Sequence, residues 1–502
     1  MATILDYFER TAASHAQDIA VDDGELALTY SDFAALCKRS ASAYVPVIGG
    51  GEPVAVFAEK GTKTLAAMIG AVYAGGFYVS INPEQPAARV SRILNILEAK
   101  LVVVDKEREE TLAMTGFAGK VIALESLGDT EIDEEALAQR RAQLSENDPL
   151  YSVFTSGSTG DPKGILVSHK SVIDFISHFT EIFAITDRDI IGNQAPFDFD
   201  VSVKDIYSAF TTGARLILIP RTFFSTPPRL LDYLIDKDVT VLVWAVSALC
   251  IISGLKGLSY KVPDKIRIIM FSGEVMPVKH LQMWQKALPG TEFVNLYGPS
   301  EITCNCTYHR IDHVYEKTET LPIGKPFPGR TVFLVDEKDQ RITAPGERGE
   351  ICCAGESIAI GYINNPEQTA KHFTMYDLDG REQRIYRTGD MAKFAEDGNL
   401  YFAGRGDFQI KHMGHRIELE EIETAFSALD GVDRACCFFD QKKNRIVSFY
   451  TGTVDGKEVR TKLKVSLPNY MVPNRITKVD EMPLNKNGKI DRAYFRSQIE
   501  GK

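Results

Sequence analysis

The chain has 502 residues, 44% of them hydrophobic and 25% charged, and a formal net charge of −11. It is too long for one ordinary domain, and its composition is that of a soluble globular protein. The acidic balance excludes a general nucleic-acid binder, which would need a basic face, but it leaves room for a local basic pocket.

The N-terminal stretch MATILDYFERTAASHAQ carries Asp6 and Glu9 and has no long apolar core, so it does not read as a signal peptide. Short apolar strands then alternate with helical patterns: VAVFA at Val54, LVVVD at Leu101, LILIP at Leu216, VTVLVW at Val239 and IRIIMFSG at Ile266. Such alternation predicts α/β architecture with largely parallel sheets. The charged run near Glu131 predicts a solvated helix face. VTVLVWAVSALCIISGL, from Val239 to Leu255, is short for a membrane span and opens β-branched, so it predicts a buried strand running into a helix.

After about Thr331 the texture changes to strand–turn–strand units, which predict antiparallel pairing. The segment HRIELEEIETAFSAL then spaces Ile417, Leu419, Ile422 and Phe426 as an amphipathic helix. The two glycines of AGRGD, at 403–407, mark a domain boundary or a plain hairpin turn. Eight cysteines without a secretory signal suit reduced thiols in a cytoplasm. Cys304, Cys306, His309 and His313 can be drawn as a zinc site, while the Cys-x-Cys alternation reads equally as one face of a strand.

The stretch richest in chemistry is TSGSTGDPKG, Thr155 to Gly164, lying between the strand-like runs LYSVF and GILVS. Its glycines and hydroxyls weaken any helix or strand interior but present backbone N–H and O–H donors to a polyphosphate, and Lys163 adds positive charge. It lacks the spacing of a Walker loop.

This loop resembles the phosphate-loop signature of the adenylate-forming superfamily, which includes acyl-CoA synthetases, luciferases and amino-acid adenylation domains. Further motifs follow in that family's order over nearly the whole chain: LTYSDF at Leu28, AVYAGGFYVSINP at Ala71, NLYGPSE at Asn295, GEICCAG at Gly349 and YRTGD at Tyr386. GRGDFQIKHMGHRIELEEIE at Gly404, LPNYMVP at Leu467 and NGKIDR at Asn487 complete the series. Their order and spacing are similar to the branch that activates D-alanine for a carrier protein and to stand-alone amino-acid adenylation domains. The resemblance implies a large N-terminal domain, 1–404, made of α/β sheets plus a small β-barrel-like subdomain. A small α+β domain, 405–502, would follow and rotate about a hinge, with Asp407 and Gly414 as the residues concerned.

The resemblance also implies site residues. Lys489 would bridge substrate carboxylate and ATP phosphate as the catalytic cation, offsetting the repulsion between two anions. Glu301 would assist as the Mg2+ ligand, a hard oxygen donor. Thr155, Ser156, Gly157, Ser158, Thr159 and Lys163 would grip the β- and γ-phosphates. Gly273, Glu274, Asn295, Leu296, Tyr297, Gly298, Pro299 and Ser300 would surround the nucleotide, with Phe402 nearby, Asp390 on the ribose hydroxyls and Arg405 on ribose or phosphate.

Of the two aspartates in APFDFDVSVKDIY, Asp200 fits the family frame Phe-Asp-x-Ser and would neutralise a substrate ammonium; its simpler reading is a helix cap. The side-chain pocket would comprise Val201, Lys204, Trp244, Met270, Ser272, Leu296, Cys304 and Asn305, with Lys489 closing it. Bulky Trp244 and Met270 predict a small pocket, and Ser272 and Asn305 predict polar selectivity, so D-alanine or a small polar amino acid such as serine is expected. Lys204 departs from the apolar or aromatic choice and would suit an acidic side chain if it points inward.

The expected reaction is amino-acid activation by ATP with pyrophosphate release, then transfer to the phosphopantetheine thiol of a separate carrier protein, since little chain follows NGKIDR. The alternatives are an acid–CoA ligase and a nucleotide-binding relative without catalysis. A cytoplasmic monomer is expected, with no nucleic acid and no membrane insertion.

Overall fold

The computed structural model describes residues 2–156, 161–316, 319–405, 408–483 and 490–500, and the side chains of residues 493, 497 and 500 are not described. Lys489, Asp407, Gly157, Ser158 and Thr159 therefore lie outside the described residues. Among the described residues, the first 330 or so form two sheets with helices against them, one of nine strands and one whose seventh strand, Gly361–Tyr362, comes later in the chain. The strands expected at Val54, Leu101, Leu216, Val239 and Ile266 appear as Pro53–Phe57, Leu101–Val104, Arg215–Leu218, Val241–Ala245 and Ile268–Ser272. All five pair with parallel neighbours. Parallel sheets are covered on both faces, so every residue of Leu101–Val104 is buried, as its unbroken apolar run requires.

The nine-stranded sheet carries the site. Its parallel core runs Glu292–Tyr297, Ile268–Ser272, Val241–Ala245, Ile190–Asn193 and Arg215–Leu218. The pleat sorts side chains by parity. Val241, Val243, Ile268, Met270, Val294 and Leu296 enter the principal core. Leu242, Trp244, Ile269, Phe271 and Phe293 enter a second core on the other face. Side chains two apart on a strand share a face, so this register decides what can reach a given pocket. The run from Val239 is a strand, Val241–Ala245, passing into the helix Val246–Gly254. No described helix is long and apolar enough to cross a membrane.

Helix starts follow local chemistry. Ser168 ends the strand Lys163–Ser168, and its hydroxyl accepts the Ser171 N–H at 3.1 Å, starting His169–Ile182. The charged helix Glu134–Gln143 buries only Leu137, as a solvated face should.

Antiparallel strands follow: Arg330–Val335, Arg348–Gly355, Phe373–Leu378 and Arg381–Phe394 belong to a six-stranded sheet where the barrel-like subdomain was expected. Leu400–Arg405 leaves its edge. Beyond it the hairpin Gln409–His412 with His415–Glu418 precedes a three-stranded sheet, Val432–Asp440, Arg445–Gly452 and Arg475–Lys478. The helix expected from His415 starts only at Leu419, because Ile417 lies in the hairpin strand. The helices Leu419–Ser427 and Gly456–Ser466 pack on the three-stranded sheet around a separate core that includes Ile422, Phe426, Cys437 and Leu463.

Candidate active site

A cleft opens where strands of both large sheets end. Thr155 and Ser156 finish or follow the strand Pro149–Thr155, and Ser272 and Gly273 follow the same pattern at Ile268–Ser272. Gly298, Pro299 and Ser300 follow Glu292–Tyr297. Carboxyl ends of parallel strands are the usual place for a ligand in an α/β sheet, since the loops there diverge. The roof comes from the C-terminal hairpin, through Gln409, Lys411, Gly414, His415 and Arg416.

Glycine is required at 298: a Cβ there would stand 2.5 Å from the Asn305 Cα. This close approach, with positive φ at both Thr303 and Cys304, turns Cys304 and Asn305 into the cleft.

Asp200 lines the cleft just ahead of the helix Val201–Thr212, and its side chain makes no cap bond, so the capping reading fails. Desolvation raises its carboxyl pKa, an effect that Lys204 and Ser300 oppose only in part. Lys204, one turn along the same helix, is buried and points inward: its Nζ donates to Asn305 Oδ1 at 2.8 Å and lies 3.5 Å from Ser272 Oγ. Val201 lines the cleft, while Met270 and Leu296 are buried behind it in the principal core.

Trp244 does not join them. Strand parity sends it to the opposite face, where its Nε1 donates to the Gly192 carbonyl and its ring meets Phe224 edge-on. Val243, one residue earlier, faces the principal core with Met270. Period-two counting along VTVLVW carries the signal that separates them. Asn295 has the same parity as Trp244, and its amide donates to the Pro322 carbonyl at 2.8 Å.

At the other end of the cleft the Tyr297 hydroxyl donates to Asp390 Oδ2 at 2.6 Å, and Arg405 binds Asp390 Oδ1. Phe402 stands behind, its ring centroid 6.4 Å from that of Tyr297. The Lys411 ammonium sits 5.7 Å from the Tyr297 ring centroid. Lys163 Nζ donates to Gln368 Oε1 at 3.3 Å. Glu274 accepts the Gly414 N–H at 2.7 Å.

Glu301 is a carboxylate already engaged on both oxygens. Fully buried, it receives Arg416 Nη1 at 2.9 and 2.8 Å and the Tyr362 hydroxyl at 2.8 Å. Burial pushes its carboxyl up, but Arg416 and the tyrosine hydroxyls outweigh that and hold it below the usual range. Ser156 is engaged from the same segment: its hydroxyl donates to the Arg416 carbonyl at 2.8 Å and accepts the Glu418 N–H at 2.9 Å. A divalent cation at Glu301 does not fit this arrangement, because a guanidinium already occupies the carboxylate.

Sequence reading passed over Lys411, His415 and Arg416 as individual residues, and Arg89 and Tyr470; Asp198, set aside there in favour of Asp200, and Phe199 also line the cleft. The three cationic or imidazole groups lie inside the motif at Gly404, so their signal was present. Cys304 and Cys306 are both buried in the principal core, and Cys304 also lines the cleft. His309 bonds Tyr315, and no cluster of three or more metal-ligand side chains occurs among the described residues.

Residues 8–363 match the family described as AMP-binding enzyme, and residues 421–489 match the AMP-binding enzyme C-terminal domain. Zwittermicin A synthase ZmaJ of Bacillus cereus is 31% identical over 508 residues, covering 98% of this chain and 94% of that protein. Tyrocidine synthase 3 of Brevibacillus parabrevis is 32% identical over 500 residues, which cover 98% of this chain and only 7% of that much longer protein. Among solved structures, IdnL1 superimposes with a TM-score of 0.81 at 25% identity, covering 96% of this chain and 99% of that one. The Vibrio cholerae adenylation domain AlmE, solved with glycyl-adenosine-5'-phosphate, shares the fold with a TM-score of 0.86 at 22% identity, covering 99% of this chain and 98% of that one. The chain belongs to the AMP-binding enzyme family.

Proposed function

We propose that the protein activates an amino acid with ATP and passes the aminoacyl group to a phosphopantetheine thiol on a carrier protein. The observation that carries this reading is Asp200: a carboxylate in the cleft whose ionised form is disfavoured by desolvation has use for a cationic partner, and an α-ammonium supplies one. Fatty or aryl acids bring no such cation.

In the first half-reaction a substrate carboxylate oxygen bonds the α-phosphorus of ATP while the bond from that phosphorus to the bridging oxygen breaks, and pyrophosphate leaves. Lys489, from the motif NGKIDR, is the cation proposed to stabilise that step. Its described neighbours face elsewhere in the present arrangement. Ile490 packs beside Cys436, Phe438 and Phe495, and Arg492 pairs with Glu423, none of which lines the cleft. The face that does meet the cleft carries Gly414 and Arg416, which suits the second half-reaction. There a thiolate attacks the acyl carbon, the acyl–phosphate bond breaks and AMP leaves. Gly414 has φ +81°, and its missing side chain leaves a passage beside Ala245 and Ser247 for a narrow arm. The unit 405–502 is therefore proposed to rotate between these two faces about Asp407. Because Arg416 holds Glu301, no step is routed through a metal there.

The reading is tested by amino-acid-dependent ATP–pyrophosphate exchange, then by loading of a phosphopantetheinylated carrier in parallel with free CoA. Exchange with amino acids but not with their des-amino analogues, falling at least about tenfold in Asp200→Asn, is expected. Exchange that ignores the ammonium refutes the assignment of Asp200, and thioester formation only on free CoA replaces the carrier-protein step.

A further inference from the structure

Lys204 raises a question that amino-acid activation alone does not answer: what is a buried ammonium doing at the end of the substrate cleft? Asp200 and Lys204 lie one helical turn apart and face the same side of their helix. Of the three donors on Nζ, one makes a short bond to Asn305 Oδ1 and a second reaches Ser272 Oγ at the long distance of 3.5 Å. Both acceptors belong to residues that line the cleft, so the ammonium sits directly behind its wall.

The next residue, Asp205, faces another cluster. Its Oδ2 accepts from Asn193 Nδ2 at 2.8 Å, and the Oδ1 of that asparagine accepts from half-buried Lys60 at 3.1 Å. Lys60 and Asp205 thus answer one another through Asn193, while Lys204 shares its helix face with Asp200. A substrate ammonium that takes up Asp200 would leave Lys204 without the carboxylate on its own helix face, which is costly unless the ligand brings an anion of its own.

We propose that the pocket selects an amino acid with a short, negatively charged side chain, whose carboxylate docks on Lys204 Nζ between Ser272 and Asn305. This replaces the expectation of D-alanine or serine. It rests on the amino-acid activation proposed above. Lys204 is then the specificity-determining residue, and Ser272 Oγ and Asn305 Nδ2 are the donors that orient the carboxylate.

The experiment is ATP–pyrophosphate exchange by the full chain with both enantiomers of aspartate, asparagine, glutamate, glutamine, alanine and serine. An acid should exceed its own amide by at least about tenfold in kcat/KM, chiefly through KM, because the pair differs only in the charge offered to Lys204. In Lys204→Met the acidic substrate should fall about a hundredfold while the corresponding amide stays level or rises. Amides or small neutral amino acids preferred by the wild-type chain would overturn the proposal and leave amino-acid activation standing. Absence of exchange with every amino acid would overturn both. Equal loss for acidic and neutral substrates in Lys204→Met would make the lysine structural and overturn the proposal. Should that variant fail to melt cooperatively, the wild-type ranking of acid over amide decides alone.

Discussion

Arg89 and Glu421 form an ion pair with side chains only 3% and 1% exposed, joining the helix Ala87–Leu97 to the helix Leu419–Ser427 of the C-terminal unit. Replacing Glu421 by Gln removes one partner while nearly preserving its shape. Breaking a buried pair costs about 3–5 kcal/mol because the remaining charge stays desolvated. That cost applies only while the two helices remain docked. If the C-terminal unit lifts away, Arg89, which borders the cleft, meets water and recovers most of its hydration. The penalty is thus borne by the docked arrangement rather than by the folded state of either part, whose cores are separate. At about 1.4 kcal/mol per decade, the docking equilibrium should fall by up to about a hundredfold to a thousandfold. Deuterium exchange over the hairpin Gln409–His412 with His415–Glu418 is the assay: its amides should exchange faster in Glu421→Gln, with a melting temperature within a few degrees of wild type. The double variant Arg89→Met with Glu421→Leu should restore protection, since an apolar pair of similar volume often replaces a buried ion pair without loss. Unchanged hairpin exchange together with a large fall in melting temperature would refute this reasoning and make the pair a fold determinant.

Other variants separate the two half-reactions. Lys489→Ala should remove most ATP–pyrophosphate exchange while ATP binding, followed by calorimetry, remains measurable; unchanged exchange would retire that lysine. Gly414→Val should slow acceptor loading at least about tenfold with exchange retained, because a β-branched residue at φ +81° strains the backbone and fills the passage beside Ala245. Arg416→Met should likewise impair loading more than exchange, and equal effects on both would place the arginine in the fold rather than in one step. His169, whose Nδ1 accepts the Ile4 N–H at 3.2 Å, is pulled down from 6.5 to about 3 by burial and, secondarily, by Arg141. A folded-state value below that of the free imidazole means the unfolded chain takes up the proton first. This contribution is complete above about pH 6.5 and is lost as pH falls toward 3, at about 1.4 kcal/mol per pH unit. His169→Asn should flatten the slope of unfolding free energy over that window by about one proton, measured by urea melts from pH 7 to 4.

Period and composition made the fold legible. Continuous runs such as Leu101–Val104 can only be central parallel strands, and the change of texture near Thr331 marks where antiparallel sheet begins. What escaped was parity and partnership. Period-two counting along VTVLVW says that Val243 and Trp244 face opposite ways, but only the register beside Ile268–Ser272 says that Val243 is the one sharing a core with Met270. Ile417 looks helical by spacing, but the turn at Met413 and Gly414, both with positive φ, folds it into a hairpin. Asp200 was identified because a carboxylate in a motif is a chemical signal. Whether Lys204 turned inward depended on Asn305, a hundred residues away, which sequence order cannot place.

Ser156 and Glu301 carry a consequence for the timing of the cycle. Both are gripped from above, Ser156 by the backbone at Arg416 and Glu418, Glu301 by the Arg416 guanidinium. Under the proposed function the nucleotide phosphates would also call on Ser156 and its loop, so triphosphate and hairpin would compete for one handhold. By linkage each must weaken the other's hold by an equal factor. On that reading the hairpin would close readily only after pyrophosphate had gone, and once closed it would oppose pyrophosphate's return. A competition between two occupants of this kind works as a ratchet, giving the two half-reactions an order without any further regulator.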